Sequence, residues 1–188
     1  YLNIFAADNC NPELCFKFSG CADFTAKDSS QQIDTLSLID DGTEVLMNVN
    51  DCPIELAQST FKEIKKQYEK IDILLTGYGG AGPYPQCFEN LNLDQKKLSA
   101  SLKETQFLNQ AIKFIDEIKP KYYLPFAGTY TLTGKLSNLQ NLRGVPNIDR
   151  AYNFFENYYF SKKMSDIIKP LKLNPESTFD LSINELDK

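Results

Sequence analysis

Ile71-Asp72-Ile73-Leu74-Leu75, running into Thr76-Gly77-Tyr78-Gly79-Gly80-Ala81-Gly82, is the stretch on which the fold turns. Four branched apolar residues around one Asp predict a short apolar strand, and the glycine run predicts a loop leaving its end. Downstream, Leu98, Leu102, Leu108, Ile112, Ile115 and Ile118 fall on one helical face, starting from about Asp94, a candidate cap. Pro120 stops that helix, and Tyr122 to Phe126 predicts the next strand. Upstream, Pro53 suits the first turn of a helix, and Ala57, Phe61, Ile64 and Tyr68 follow at helical spacing. Before that, Thr35 to Ile39 and Glu44 to Val49 flank Asp40-Asp41-Gly42-Thr43, a hairpin signal because Asp-Gly tolerates the positive φ of the turn. Strands joined through helices imply parallel neighbours and right-handed crossovers, while the hairpin adds an antiparallel strand. The expectation is therefore an α/β (α+β) fold with a mixed sheet. In it the Glu44–Val49, Ile71–Leu75 and Tyr122–Phe126 strands lie side by side, with helices on one face.

The flanks are less regular. The chain opens in a strand-like Tyr1-Leu2-Asn3-Ile4-Phe5 without Met, which is expected of a fragment of a longer protein. Leu14, Phe16 and Phe18 alternate with Cys15 and Lys17 as in a half-buried strand, and the polar run from Asp23 to Gln32 predicts a loop. Thr129 to Asn147 is expected to be mostly loop. From Ile148 an aromatic-rich helix carries Tyr152, Phe154, Phe155, Tyr158, Tyr159 and Phe160, which calls for packing on more than one side. Residues 1–170 are expected to form the domain, and 171–188 an irregular, acidic tail. There is no internal repeat.

Composition excludes several classes. Hydrophobic residues at 42% and charged residues at 24% describe a globular chain with material for a core. With a net charge of −5 and no basic run beyond pairs such as Lys65-Lys66, a nucleic-acid partner is not expected. No apolar stretch approaches the roughly 20 residues of a membrane helix, so no membrane partner is expected either. Five cysteines, Cys10, Cys15, Cys21, Cys52 and Cys87, have irregular spacing that matches neither a disulfide framework nor a common zinc or iron–sulfur pattern. A reducing, cytoplasmic setting is expected. The chain contains no histidine, which rules out a Ser-His-Asp or Cys-His triad and a His-ligated zinc from its own residues.

Two constellations remain. Gly77-Tyr78-Gly79-Gly80-Ala81-Gly82 spells a dinucleotide fingerprint after a strand, but the fingerprint needs a helix opening at its last glycine, and Pro83 and Pro85 follow instead. The other readings of this loop are a backbone that closely approaches a ligand or another loop, and a tight connecting turn. Asn48-Val49-Asn50-Asp51-Cys52 ends a strand, and ligands of α/β sheets gather at that edge. Asp51 there is a metal ligand or the cap of the following helix, with capping the commoner role for an isolated Asp.

Three segments together resemble the C-terminal half of a metallo-β-lactamase-fold protein: Val45 to Pro53, Asp72 to Ala81 and Tyr123 to Tyr130. The similarity is closest to the branch of lactonase-like sugar-phosphate hydrolases and nucleotide-sugar sialic acid hydroxylases. It rests on Asn50-Asp51-Cys52-Pro53, Gly77-Tyr78-x-Gly80 with Tyr84-Pro85-Gln86-Cys87-Phe88 after it, and Pro125-Phe126-Ala127-Gly128. It covers about Thr35 to Tyr130. The resemblance implies a four-layer αββα sandwich of which this chain supplies the second sheet and its helices. It also implies a metal-dependent hydrolase or hydroxylase acting on a sugar or nucleotide-sugar, a small-molecule substrate. Asp51 falls where the family places an acidic metal ligand, and Tyr78, Gly79, Gly80 and Tyr84 would line the substrate cleft. The family's histidine-rich motif belongs to the other half, so zinc or iron could be bound only with residues outside this chain. Many relatives carry a histidine where this sequence has Pro125-Phe126-Ala127-Gly128, a departure the hydroxylase-like branch shares. The expected partner is the chain's own N-terminal half or a second copy, with Leu14, Phe16, Phe18, Val45, Met47 and the helix around Tyr158 as the covered face. A non-catalytic binding or scaffold domain that keeps the fold without a metal is the alternative.

Overall fold

A computed structural model describes residues 1–7, 35–50 and 52–187. Its centre is a six-stranded mixed sheet in the order β1 (Leu2–Ala6), β2 (Thr35–Asp40), β3 (Val45–Asn48), β4 (Ile73–Thr76), β5 (Tyr122–Pro125) and β6 (Lys169–Pro170). β2 runs antiparallel to both β1 and β3, and β3, β4, β5 and β6 are mutually parallel. The three strands expected to be adjacent are therefore adjacent. Asp41-Gly42 turns the β2–β3 hairpin, with Gly42 at φ 96°. Asp41 Oδ1 accepts from the backbone N–H groups of Thr43 and Glu44 and from the Thr43 hydroxyl.

Those bonds, the Glu44 amide first, pull the Asp41 carboxyl from its ordinary 3.8 to about 2. A depressed pKa means that the ionised form is the one the folded turn favours. Its contribution is complete above about pH 4 and is lost as pH falls through 2. Titration followed by NMR should therefore give Asp41 a midpoint near 2, with the Thr43 and Glu44 amide shifts moving in step. A midpoint at the ordinary value would show that the turn does not hold the carboxylate.

Three α-helices connect the parallel strands: α1 (Gln58–Gln67), α2 (Leu93–Ile118) and α3 (Ile148–Ser161). A 3₁₀ turn over Ile54–Leu56 follows Pro53, and a longer 3₁₀ stretch, Gly134–Leu142, occupies part of the segment expected to be loop. Asn92, not Asp94, caps α2, through a reciprocal pairing with Gln95. Asn147 caps α3 by accepting from the Arg150 amide. Strand order and chain order advance together from β3 to β6, so right-handed crossovers put all three helices on the same face of the sheet.

That face forms the core. Across the ladder Leu38, Met47, Leu74 and Tyr123 are register partners, all buried, and Leu36 lies beside them. They pack into one cluster with Phe61 and Ile64 of α1, Leu108, Ile112 and Ile115 of α2, and Phe155 and Tyr159 of α3. Tyr123 meets Phe155 edge to face at 4.8 Å. Asp116 ties α2 to α3, accepting from the Tyr158 and Tyr159 hydroxyls and from Lys162.

The Tyr123 hydroxyl is buried and has no hydrogen-bond partner among the described residues, and burial raises its pKa well above the ordinary tyrosine value. An orphaned buried O–H costs desolvation that nothing returns. Tyr123→Phe should therefore leave stability unchanged or raise it, by up to about 1 kcal/mol. A loss larger than that in denaturant unfolding would mean the hydroxyl has a partner after all.

The opposite face carries the row Leu2, Ile39, Leu46, Ile73 and Tyr122, again register partners, with Ile4 one step along β1. Leu2, Ile4 and Ile39 are 64%, 68% and 53% exposed. Two expectations change here. Val45 and Met47, expected on the face left for a partner, lie on the helix-covered face, and Leu46 takes the open one. The residues 171–188, expected to be irregular, include a second small sheet, β7 (Thr178–Asp180) with β8 (Glu185–Asp187). This hairpin sits on the open face: Phe179 packs edge-on against Tyr122, and Asn184 Oδ1 accepts from Tyr122 and Lys121. Between hairpin and sheet runs a groove of about 500 Å³ lined by Ile39, Leu46, Ile73, Phe179 and Leu181. Leu14, Phe16 and Phe18 lie outside the described residues.

Helix α2 also departs from expectation at its start. Leu98 and Leu102, placed by periodicity on the core face, are 63% and 62% exposed, and Leu108 is the first leucine of the stripe to be buried. No helix among the described residues is long and apolar enough to cross a membrane.

Candidate functional site

The carboxyl ends of β3, β4 and β5 meet at one edge of the sheet, where a parallel α/β sheet places its ligand crevice. Three loops converge there, following Asn48, Thr76 and Pro125. The Val49 amide donates to the Leu75 carbonyl and so carries the β3–β4 pairing past the end of the strand. Asn50 follows, its Oδ1 lying 3.1 Å from where a Cβ on Gly77 would stand. Asp51 lies outside the described residues. Cys52 is buried, its thiol 3.7 Å from the Pro53 carbonyl.

The glycine loop does not open a helix. Residues 77–92 are turns and irregular backbone, and α2 begins at Leu93, so no helix N-terminus faces the loop as the dinucleotide fingerprint requires. The glycines serve close approach instead. None of Gly77, Gly79, Gly80 or Gly128 adopts a left-handed φ. A Cβ on Gly79 would stand 2.3 Å from the Gly128 carbonyl oxygen, one on Gly128 would stand 2.3 Å from the Tyr78 ring, and one on Gly80 would stand 2.4 Å from the Phe107 ring of α2. Tyr78 is buried beneath this contact, which raises its pKa. Tyr84 is half-buried and packs edge-on against Phe88 at 5.1 Å.

Beyond the glycines the loop holds a polar cluster. Gln86, 1% exposed, donates through Nε2 to the Gly82 carbonyl at 2.5 Å and to the Tyr130 hydroxyl at 3.3 Å. Its other amide atom, Oε1, is buried with no partner among the described residues. The Arg143 guanidinium lies over the Tyr130 ring, 5.1 Å from its centroid, with Nε donating to the Gln140 carbonyl and Nη1 buried without a partner among the described residues. Lys103 reaches from α2 to donate to the carbonyls of Tyr84 and Arg143 at 2.9 and 3.0 Å, and Lys96 donates to that of Gln86. Burial first, and the neighbouring Arg143 charge second, lower the Lys103 pKa. Gly144 explains how Arg143 comes so near the helix: its φ is 65°, and a Cβ there would stand 2.7 Å from the Ala100 carbonyl.

Of the residues singled out in the sequence, Tyr78, Gly79, Gly80 and Tyr84 are thus brought together on one loop. Lys103 and Arg143 were not foreseen, and Gln86 and Tyr130 appeared only inside the Tyr84–Phe88 and Tyr123–Tyr130 segments. No three His, Cys, Asp or Glu side chains converge on one point among the described residues. The described part of the chain therefore does not fit a metal ion by itself. Comparison with protein-family models and with curated proteins finds no match to this chain.

Proposed function

We propose that this chain is the C-terminal half of a metallo-β-lactamase-fold enzyme, a metal-dependent hydrolase or hydroxylase acting on a sugar or nucleotide-sugar in the cytoplasm. The observation that supports this most is the one-sided winding of the sheet. All three crossover helices pack on one face, and the other keeps an apolar row of Leu2, Ile39, Leu46 and Ile73. A second sheet stacked on that row, at the usual spacing of about 10 Å, would complete an αββα sandwich. The chain's own N-terminal half is the partner that fits best, and a second copy is the other. In this reading the metal and its histidines come from outside the chain, zinc or iron being the ions such ligands suit. Asp51 is the one ligand this half contributes, and the Tyr78–Gln86 loop lines the substrate side. The absence of histidine from all 188 residues favours a second reading for the chain standing alone, a binding or scaffold domain without metal.

Calorimetry separates these readings. The isolated chain, titrated with zinc or with iron(II), should show no stoichiometric binding at micromolar affinity, because one Asp with scattered thiols is a poor site. Assembled with the histidine-bearing half, it should bind metal and turn over a sugar lactone or nucleotide-sugar, and Asp51→Ala should remove that turnover. Tight binding by the isolated chain, abolished by Asp51→Ala, would place the metal in this half. An assembled protein inert toward both substrate classes would overturn the enzyme reading.

A further inference from the structure

We infer that Arg143, Lys103, Tyr130 and Gln86 form a seat for an oxyanion carried on a hydroxylated ring, such as the phosphate or carboxylate of an acidic sugar. The inference deepens the sugar reading above and rests on it for the identity of the ring. It does not rest on any metal or on turnover.

Three observations carry it. First, cations gather here without carboxylates: Lys96, Lys103 and Arg143 surround the Tyr84–Gln86 segment, and none is ion-paired among the described residues. Elsewhere on the molecule lysines find acids readily, as Lys65 does with Glu117 and Lys113 with Glu55. Like charges brought together in a partly desolvated place are costly unless an anion joins them, and burial first, with the Arg143 charge second, lowers the Lys103 pKa. Second, two buried polar atoms lack partners among the described residues. Arg143 Nη1 is a donor suited to an oxyanion, and Gln86 Oε1 is an acceptor suited to a hydroxyl. Both residues flank Tyr130, whose ring carries the guanidinium and whose hydroxyl meets the Gln86 amide. An anionic group next to a hydroxyl is the ligand chemistry that would satisfy both. Third, Gln86 lies in the segment that leaves β4 and Tyr130 and Arg143 in the segment that leaves β5, with Lys103 reaching them from α2, and the carboxyl ends of parallel strands are the edge at which such sheets hold ligands.

The two orphaned atoms are closed to solvent, so a ligand reaches them by displacing the loop above.

Binding to the purified chain, measured by calorimetry without metal, tests the seat. The probes are glucose 6-phosphate, glucuronate, glucose and inorganic phosphate at matched ionic strength. The two anionic sugars should bind about tenfold or more tightly than glucose, the gain expected of one charge-assisted hydrogen bond. The tighter of the two names the oxyanion. Arg143→Gln and Lys103→Met should each weaken the anionic sugars by about tenfold or more while leaving glucose unchanged. Lys97→Met, on the exposed side of α2, should change nothing. Should Arg143→Gln unfold the loop, Tyr130→Phe keeps the ring under the guanidinium and removes only the hydroxyl, and it should cost several-fold in sugar affinity. Glucose binding as tightly as glucose 6-phosphate would overturn the oxyanion seat while leaving the sugar reading standing. So would anionic binding that survives both Arg143→Gln and Lys103→Met, or no binding by any probe, whereas failure of turnover in the assembled enzyme would leave the seat intact.

Discussion

Gly128→Ala and Gly79→Ala are each expected to destabilise the protein by about 3 kcal/mol, the upper end of what overpacking by one methyl costs. At these two glycines the loop after β4 comes closest to the loop after β5 in the Cβ positions they leave empty. A Cβ on Gly128 would meet three Tyr78 ring atoms at 2.3 to 2.5 Å, and Tyr78 is 3% exposed with no room to turn away. A Cβ on Gly79 would meet the Gly128 carbonyl oxygen at 2.3 Å and Val145 at 2.8 Å. The first obstacle there is backbone, which a rotamer change cannot clear. Against a typical total stability of about 5–15 kcal/mol, such a loss is a large fraction. Gly82→Ala is the control from the same loop. Nothing lies within 4 Å of its added methyl, so it should be neutral, or stabilise by about 0.4–1 kcal/mol through the unfolded chain. Denaturant midpoints of the three variants would settle the point. Equal stability of Gly128→Ala and Gly82→Ala would mean that the two loops do not hold each other. The same contact positions Gln86 and Tyr130, so the damaging variants should also weaken binding at the Arg143 seat.

Where the sequence was legible, a local pattern carried one meaning. Asp41-Gly42 between two apolar runs allowed only a tight hairpin. The alternation of apolar strands with amphipathic helices placed β3, β4 and β5 side by side. Parity within β3 was another matter. Val45-Leu46-Met47 is apolar at every position, so the strand shows no alternation from which to choose its core face. Only the register with Leu38 and Leu74 decides it, and that register puts Met47 beneath the helices and Leu46 on the open face where Val45 and Met47 are expected. Helix α2 misleads differently. Its 26 residues span about 39 Å at 1.5 Å per residue, while the four-residue strand beside it covers about 13 Å. The periodic leucines therefore continue past the end of the sheet, and Leu98 and Leu102 have nothing to pack against. The C-terminal hairpin was missed because its strands are three residues long and mostly polar, with Phe179 and Asn184 supplying the anchor across the sheet. The cluster at Arg143 had no local signature at all. Gln86, Lys103, Tyr130 and Arg143 come from four separate segments, and only tertiary packing, with Gly144 against α2, brings them together.

The double variant Ile4→Lys/Ile39→Lys is expected to raise the dissociation constant for whatever covers the open sheet face by at least about 100-fold. Lysine ammonium groups buried without a counter-charge cost several kcal/mol. The winding of the sheet is the reason to expect association at all. Three right-handed crossovers place every described α-helix on the other side, and the β7–β8 hairpin meets the open face at Tyr122 and borders the groove over Leu46 and Ile73 without burying the β1 edge. Leu2, Ile4 and Ile39 are left largely exposed on neighbouring strands. Soluble monomers seldom leave apolar patches beyond a few hundred Å² uncovered. The unmodified chain, sedimented alone at high concentration, should therefore run as a dimer or larger species, or should bind the half that completes it. The lysine pair should run as a monomer. Both positions are more than half exposed within the single chain, so the pair should shift its unfolding midpoint by no more than about 0.5 kcal/mol. That separation matters, because a variant that lost association by unfolding would say nothing about the face. A parent chain that stays monomeric at every concentration and binds no dye for apolar surface would mean that the hairpin suffices as a lid. The half-sandwich reading would then fall, and the proposed enzyme with it.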